Sequence, residues 1–244
     1  MQPFRAQVEA YYFGSPQRIG DKILFIKRDQ RLAEYAAHLT DLEKFGNVWH
    51  GVTGRLHGEL VSVIATGVGP SLIGDAVYAL DRPGAACLYS GTCGGLADAL
   101  DIGDVFVADQ AVCGDGYSMH FGCMPFSLAS GDPGTLQAIK AALASAGERF
   151  DAGVAFTTSS VVREADADFW RVVDRKCRII EMGAAAFYAA ARARGKRAAA
   201  YFWVTDLPTR GKSFFDQLPP DDVRTKEGRY RHAVALDMAM LACL

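Results

Sequence analysis

An α/β fold is expected for this chain. Two observations point to an α/β fold with a largely parallel or mixed sheet. Apolar runs rich in β-branched and aromatic residues recur along the chain, several bounded by glycine, and helical patterns lie between several of them. With half of its 244 residues apolar and 22% charged, the chain can bury a sizeable core.

Taken in order, strands are expected at 8–13, 60–65, 85–89, 104–108, 153–157 and 198–204, where the apolar residues run together. Helices are expected at 15–19 opening toward residue 26, and at 31–42, 70–80, 134–146, 169–175, 184–195 and 225–243. No Ser/Gly/Pro-rich linker, charge block or internal repeat divides the chain. Residues 1–244 therefore read as one domain. The least regular stretches, 114–133 and "KSFFDQLPPDD", are the kind of long connection on which sites are built.

The formal net charge of −2, with no basic run, gives no footprint for nucleic acid or an anionic membrane. The first twenty residues lack a basic region followed by an apolar stretch, so a cytoplasmic protein is expected. Six cysteines form no CxxC pair and read as reduced thiols used as small hydrophobes. No metal-ligand set is legible, and no metal or other cofactor is expected.

Five segments can carry chemistry. In "FGSPQRIG", Gly14 and Arg18 suit either an oxyanion cradle at a helix start or a plain capped helix with a solvated arginine. "IATGVGPS" sets two glycines before a helix, which sterics alone can require. In "YSGTCGGL", Gly91, Thr92, Cys93 and Gly94 offer either close backbone approach to an anion or an ordinary turn. In "RIIEMGAAAFY", Glu181 is either a helix-start charge or a buried acceptor, with Met182 beside it. In "YFWVTDLP", Asp206 ends a very apolar strand, as a catalytic acid whose proton burial would retain or as a turn residue before Pro208.

In this order, "GSPQR", "TGVGPS", "YSGTCGGL", "IEMGAAAFY" and "VTDLP" resemble the motifs of the nucleoside phosphorylase and nucleosidase superfamily. Those are a Gly-Asp-Pro-x-Arg turn, a Thr/His-Gly-x-Gly segment, an Arg-x-Gly-Ser/Thr-Cys-Gly phosphate turn, a Glu-Met-Glu ribose motif and a late Ser-Asp. "GVGPS", "GTCGGL" and "VTDLP" are most similar to the catalytic domain of AMP nucleosidases. The resemblance implies a three-layer-like α/β sandwich around a distorted mixed β-sheet, of nucleoside phosphorylase type, and N-glycosidic cleavage of a nucleoside or nucleotide. It further implies a homo-oligomer (dimer, trimer or hexamer) with sites near subunit contacts. It places phosphate at Gly14, Arg18, Gly91 and Thr92, sugar and base at Glu181, Met182, Cys93 and Gly94, and the proton donor at Asp206.

The chain departs from the family pattern at three points. Tyr89 stands where phosphorylases have an arginine, Asn47 falls near the arginine lent by a neighbouring subunit, and Gly183 replaces the second glutamate of the ribose motif. Arg55, Lys44, Arg163, Arg210 and Lys212 are the cations available as substitutes. Phosphorolysis, with inorganic phosphate as co-substrate, is the leading expectation, and hydrolysis and non-catalytic nucleoside binding are the alternatives. A purine base is favoured, with Phe187, Phe169 and Trp170 as candidate stacking partners.

Overall fold

The computed structural model describes residues 2–14, 18–173, 175–212 and 226–244. Helix α1 (Gln2–Phe13) leads to strand β1 (Lys22–Ile26), helix α2 (Leu32–Ala36) and strands β2 (Thr40–Gly46), β3 (His50–Leu56) and β4 (Glu59–Ala65). Helix α3 (Pro70–Ala79) and strands β5 (Ala86–Gly95), β6 (Val105–Gly114) and β7 (Leu128–Ser130) follow. The chain then forms α4 (Pro133–Ser145), β8 (Phe150–Thr158), β9 (Ile179–Glu181), α5 (Ala184–Ala193), β10 (Arg197–Asp206) and α6 (Lys226–Cys243).

The first forty residues correct the sequence reading. Residues 8–13 are the end of α1, not a strand, and their aromatics are there for packing: Tyr12 stacks on Trp49 at 4.6 Å and Phe13 lies 5.2 Å from the same ring. The stretch expected to continue as a helix toward residue 26 is instead β1, whose Ile23 to Ile26 are all buried. A strand covered on both faces loses the alternation that marks a half-exposed one, so its apolar run is ambiguous from sequence. The helix expected at 31–42 stops at Ala36. Strand β2 then begins, largely exposed and carrying Asp41, Glu43 and Lys44, charges that suit a sheet edge. Among the described residues of 169–175 there is a single 3-10 turn, Phe169–Arg171.

The sheet runs in the order β10-β6-β8-β9-β5-β1-β4-β3-β2, with β7 added on β6. Strand β5 also pairs with β10, so β5, β10, β6, β8 and β9 close on themselves while β1, β4, β3 and β2 extend outward as an open wing. Strands β1, β4, β5 and β10 run parallel to one another, which brings the carboxyl ends of all four to one side. In α/β sheets ligands bind at that side.

Helices cover both faces. Phe13 of α1, Ile73 and Val77 of α3 and Phe187 of α5 pack in one core, and Tyr35 of α2, Ile139 of α4 and Met240 of α6 in the other. Buried Lys196 donates to the Val77 and Leu80 carbonyls at 2.5 and 2.7 Å, satisfying the orphan acceptors at the end of α3. None of the described helices is long and apolar enough to cross a membrane.

Candidate active site

The glycine-rich stretch "SGTCGG" is strand, not turn. Every residue from Ala86 to Gly94 pairs with β10, most of them in unbroken register (Gly91 with Phe202, Thr92 with Trp203, Cys93 with Val204), with one irregularity before Asp206 meets Gly94. The opposite edge of β5 is shared. It pairs with β1 as far as Tyr89 and with β9 from Gly94, so no described strand stands opposite Ser90 to Cys93 there.

Lys27 occupies that gap. It follows directly on β1, and its Nζ donates to the Thr92 carbonyl at 2.8 Å and to Thr92 Oγ1 at 3.1 Å. Gly91 makes room for it: a Cβ there would lie 2.9 Å from Lys27 Cε and 3.1 Å from the Phe202 ring. Burial pushes the Lys27 ammonium below its ordinary pKa, while the nearby Glu181 carboxylate foremost opposes that shift.

Asp206 ends β10 beside β5. Its Oδ1 accepts from Thr205 Oγ1 at 2.9 Å, and a Cβ on Gly94 would lie 3.1 Å from its Oδ2. Burial raises the Asp206 pKa, against the Thr205 bond and the Lys27 charge. Its carboxyl is thus biased toward holding a proton, the form that can protonate a leaving group. The neighbouring Cys93 thiol is buried and pushed well above its ordinary value by desolvation, which makes it inert as a nucleophile.

Glu181 is a buried acceptor. It is 3% exposed and accepts from the backbone N–H of Gly183 at 2.6 Å, from that of Ala184 at 2.9 Å and from the Thr157 hydroxyl. The N–H of Ala185 goes to Thr157 Oγ1 at 2.9 Å. The first free N–H groups of α5 are therefore satisfied by Glu181 and Thr157, as a helix start requires. Burial pushes the Glu181 pKa up to about 7 against those bonds and Lys27. Met182, half-buried, follows it.

Thr92, Cys93, Gly94, Glu181 and Asp206 are thus brought together around Lys27, which the sequence reading had passed over. Gly14 and Arg18 are not. Gly14, with φ of 72°, ends α1 and gives its N–H to the Ala10 carbonyl at 2.9 Å, the left-handed glycine stop of a helix, so that N–H is not free for an anion. Arg18 pairs with Asp41 at 2.5 Å and Glu43 at 3.4 Å at the start of β2. By register that point lies level with the first residues of β1 and β5, opposite the Thr92 end, and four strand spacings (about 19 Å) to the side. The cradle read for Gly14 and Arg18 is therefore absent from the Thr92 site within one chain.

The other candidates also have local roles. Asn47 donates to the Tyr11 carbonyl at 2.8 Å. Arg55 binds the Gly58 carbonyl, Arg163 binds Asp166 and Asp168, Arg210 binds the Leu100 carbonyl and Lys212 lies 3.7 Å from Asp101. Phe187 is fully buried between Phe25 and Tyr89, a core residue and not a stacking partner. Phe169 and Trp170 lie in the β8–β9 connection, where Trp170 Nε1 donates to the Glu164 carbonyl at 3.0 Å.

The sequence model of the phosphorylase superfamily matches residues 23–236. The chain belongs to that superfamily. Its fold is similar to the uridine phosphorylase of Vibrio fischeri ES114, in the structure with 6-hydroxy-1-naphthoic acid, at a TM-score of 0.77 and 17% identity over 92% of each chain. A second structure of that protein gives 0.76 and 17%, over 92% of this chain and 93% of the other. No curated protein matches the chain. The match to the superfamily begins at Ile23, after Gly14 and Arg18.

Two departures of this superfamily member meet in space. A Cβ on Gly183 would lie 3.0 Å from the Tyr89 hydroxyl and 3.0 Å from Ile73 Cγ2. The buried phenol on β5 thus fills the room beside residue 183, and Tyr89 and Gly183 are one packing solution. Sequence distance hid this pairing. Lys27 did carry a signal, a cation ending the apolar run "KILFIK", but reading that run as a helix hid its position at a strand's carboxyl end.

Proposed function

We propose that this enzyme cleaves the N-glycosidic bond of a nucleoside by phosphorolysis, yielding free base and sugar 1-phosphate. The observation that carries the reading is the position of Asp206 at the tip of β10, one strand away from Thr92 and the Lys27 ammonium, with burial raising its pKa. As the bond from C1′ to the base nitrogen breaks, its electron pair goes to the base. Asp206 delivers the proton there, which stabilises the transition state more than the ground state. A phosphate oxygen forms the new bond to C1′, and the Asp206 carboxylate regains its proton from solvent.

A purine as the base rests on the likeness of "GVGPS", "GTCGGL" and "VTDLP" to the AMP nucleosidases. Exposed apolar side chains such as Val162, at 78%, and Met124, at 70%, support assembly of this single-domain chain into a dimer, trimer or hexamer. A cytoplasmic location goes with the reading.

Hydrolysis is the second reading, and one observation favours it: of the cations first considered for phosphate, Arg18 lies at the far end of the sheet, Lys44 is on the edge strand β2, and Arg55, Arg163, Arg210 and Lys212 are engaged elsewhere. A panel of nucleosides and nucleotides assayed for free base, with and without phosphate, separates the two. Sugar 1-phosphate formed only with phosphate supports phosphorolysis, and free sugar at a rate indifferent to phosphate supports hydrolysis. Binding of nucleosides without any release of base would overturn both.

A further inference from the structure

The unpaired edge of β5 holds more donors than its own strand needs. The N–H and C=O of a strand residue point to the same edge, and the Thr92 carbonyl points to Lys27. The Thr92 N–H therefore faces the same gap, where no described strand stands opposite it. Thr92 Oγ1 accepts one Lys27 proton, so its own proton can turn to another acceptor. An ammonium has three protons, and Thr92 takes two.

The neighbouring carboxyls do not fill this demand. Both oxygens of Glu181 are occupied by Thr157 and the start of α5, Asp206 Oδ1 accepts from Thr205, and the Lys27 hydrogen bonds among the described residues go to Thr92 and not to Asp206 Oδ2. Gly91 is the residue that lets the lysine reach the gap, because any side chain there would meet the Lys27 stem.

We propose that Lys27 is the anion-binding residue of this site, its ammonium holding inorganic phosphate together with the N–H and hydroxyl of Thr92. The inference deepens the phosphorolysis reading by naming the group that holds the co-substrate. It assigns to Lys27 the role that the sequence suggested for Arg18.

The test is calorimetric titration of the full-length protein with inorganic phosphate in chloride buffer, for wild type, Lys27→Met, Lys27→Arg and Arg18→Met. Wild type is expected to bind, and Lys27→Met to bind about 10- to 100-fold more weakly, the size of one charge-assisted hydrogen bond. Lys27→Arg should recover part of the loss, and Arg18→Met should bind as wild type does. Undiminished binding by Lys27→Met, or no binding by wild type, overturns the proposal. Should Lys27→Met not fold, the Lys27 side-chain 15N resonance of the wild type answers the same question: a shift with added phosphate supports the assignment, and none overturns it. Because these readouts need no turnover, an absence of base release would refute the glycosidic reading while leaving the phosphate assignment decided on its own evidence.

Discussion

Asp206 is the proposed proton donor, and its environment sets the direction of the expected pH effect. Burial raises its pKa, so if it acts as the acid, kcat/KM for base release should fall as pH rises through that raised value. Asp206→Ala is expected to lower kcat by about 100-fold or more, in the range of a positioned general acid. Asp206→Asn, whose amide still donates a hydrogen bond, should lose less and should flatten that limb of the pH profile. Gly183 carries a second prediction. With no carboxylate at 183 and Glu181 committed to α5, nothing there is left unpaired when a sugar hydroxyl is missing, so ribo- and 2′-deoxyribonucleosides should be cleaved with similar efficiency. A strong ribose preference in steady-state kinetics would refute it.

Helix α5 begins on side chains, which gives this element its own tests. Glu181→Gln would turn an amide NH2 toward N–H donors, and a loss of about 1 to 3 kcal/mol is expected, or roughly 2 to 4 °C in Tm per kcal/mol. The pKa of Glu181 is raised in the folded chain to about 7 from 4.5. Between those values the folded state holds a proton that the unfolded state has lost, so stability falls as pH rises through the window. Calorimetric melting between pH 4.5 and 7 should show that decline, and Glu181→Gln should show less of it. The contact between α5 and β5 is tested by Gly183→Ala, whose methyl meets the Tyr89 hydroxyl and Ile73. A cost of about 1 kcal/mol or more is expected, partly relieved by Tyr89→Phe in a double-mutant cycle. Strict additivity would show that the two positions are independent.

Across the whole molecule, the two helical layers are tied to the sheet by a few buried polar groups as well as by apolar packing. Asp237 of α6, fully buried, accepts from the Tyr35 hydroxyl of α2 and the Tyr201 hydroxyl of β10, each at 2.5 Å. Asp237→Ala would leave both phenols without that acceptor, and a loss of about 2 to 4 kcal/mol, measured by denaturant unfolding, is expected. Much of this architecture was legible beforehand. Runs of β-branched and aromatic residues marked β4, β8 and β10, and Asp206 could be placed at a strand tip because a ten-residue apolar strand runs up to it. The order of motifs pointed to the superfamily. What the chain could not reveal on its own was which apolar run lies inside the sheet, since β1 is covered on both faces and so lost its alternation, and that β2 is an edge strand. Local pattern therefore determined the fold class and the place of Asp206 at a strand tip. Only the tertiary structure decided that Lys27 meets Thr92 across 65 residues while Arg18, so close to β1 in sequence, is held by Asp41 and Glu43 at the sheet's other end. Strand register and burial are set by contacts distant in sequence, and no local spacing encodes them.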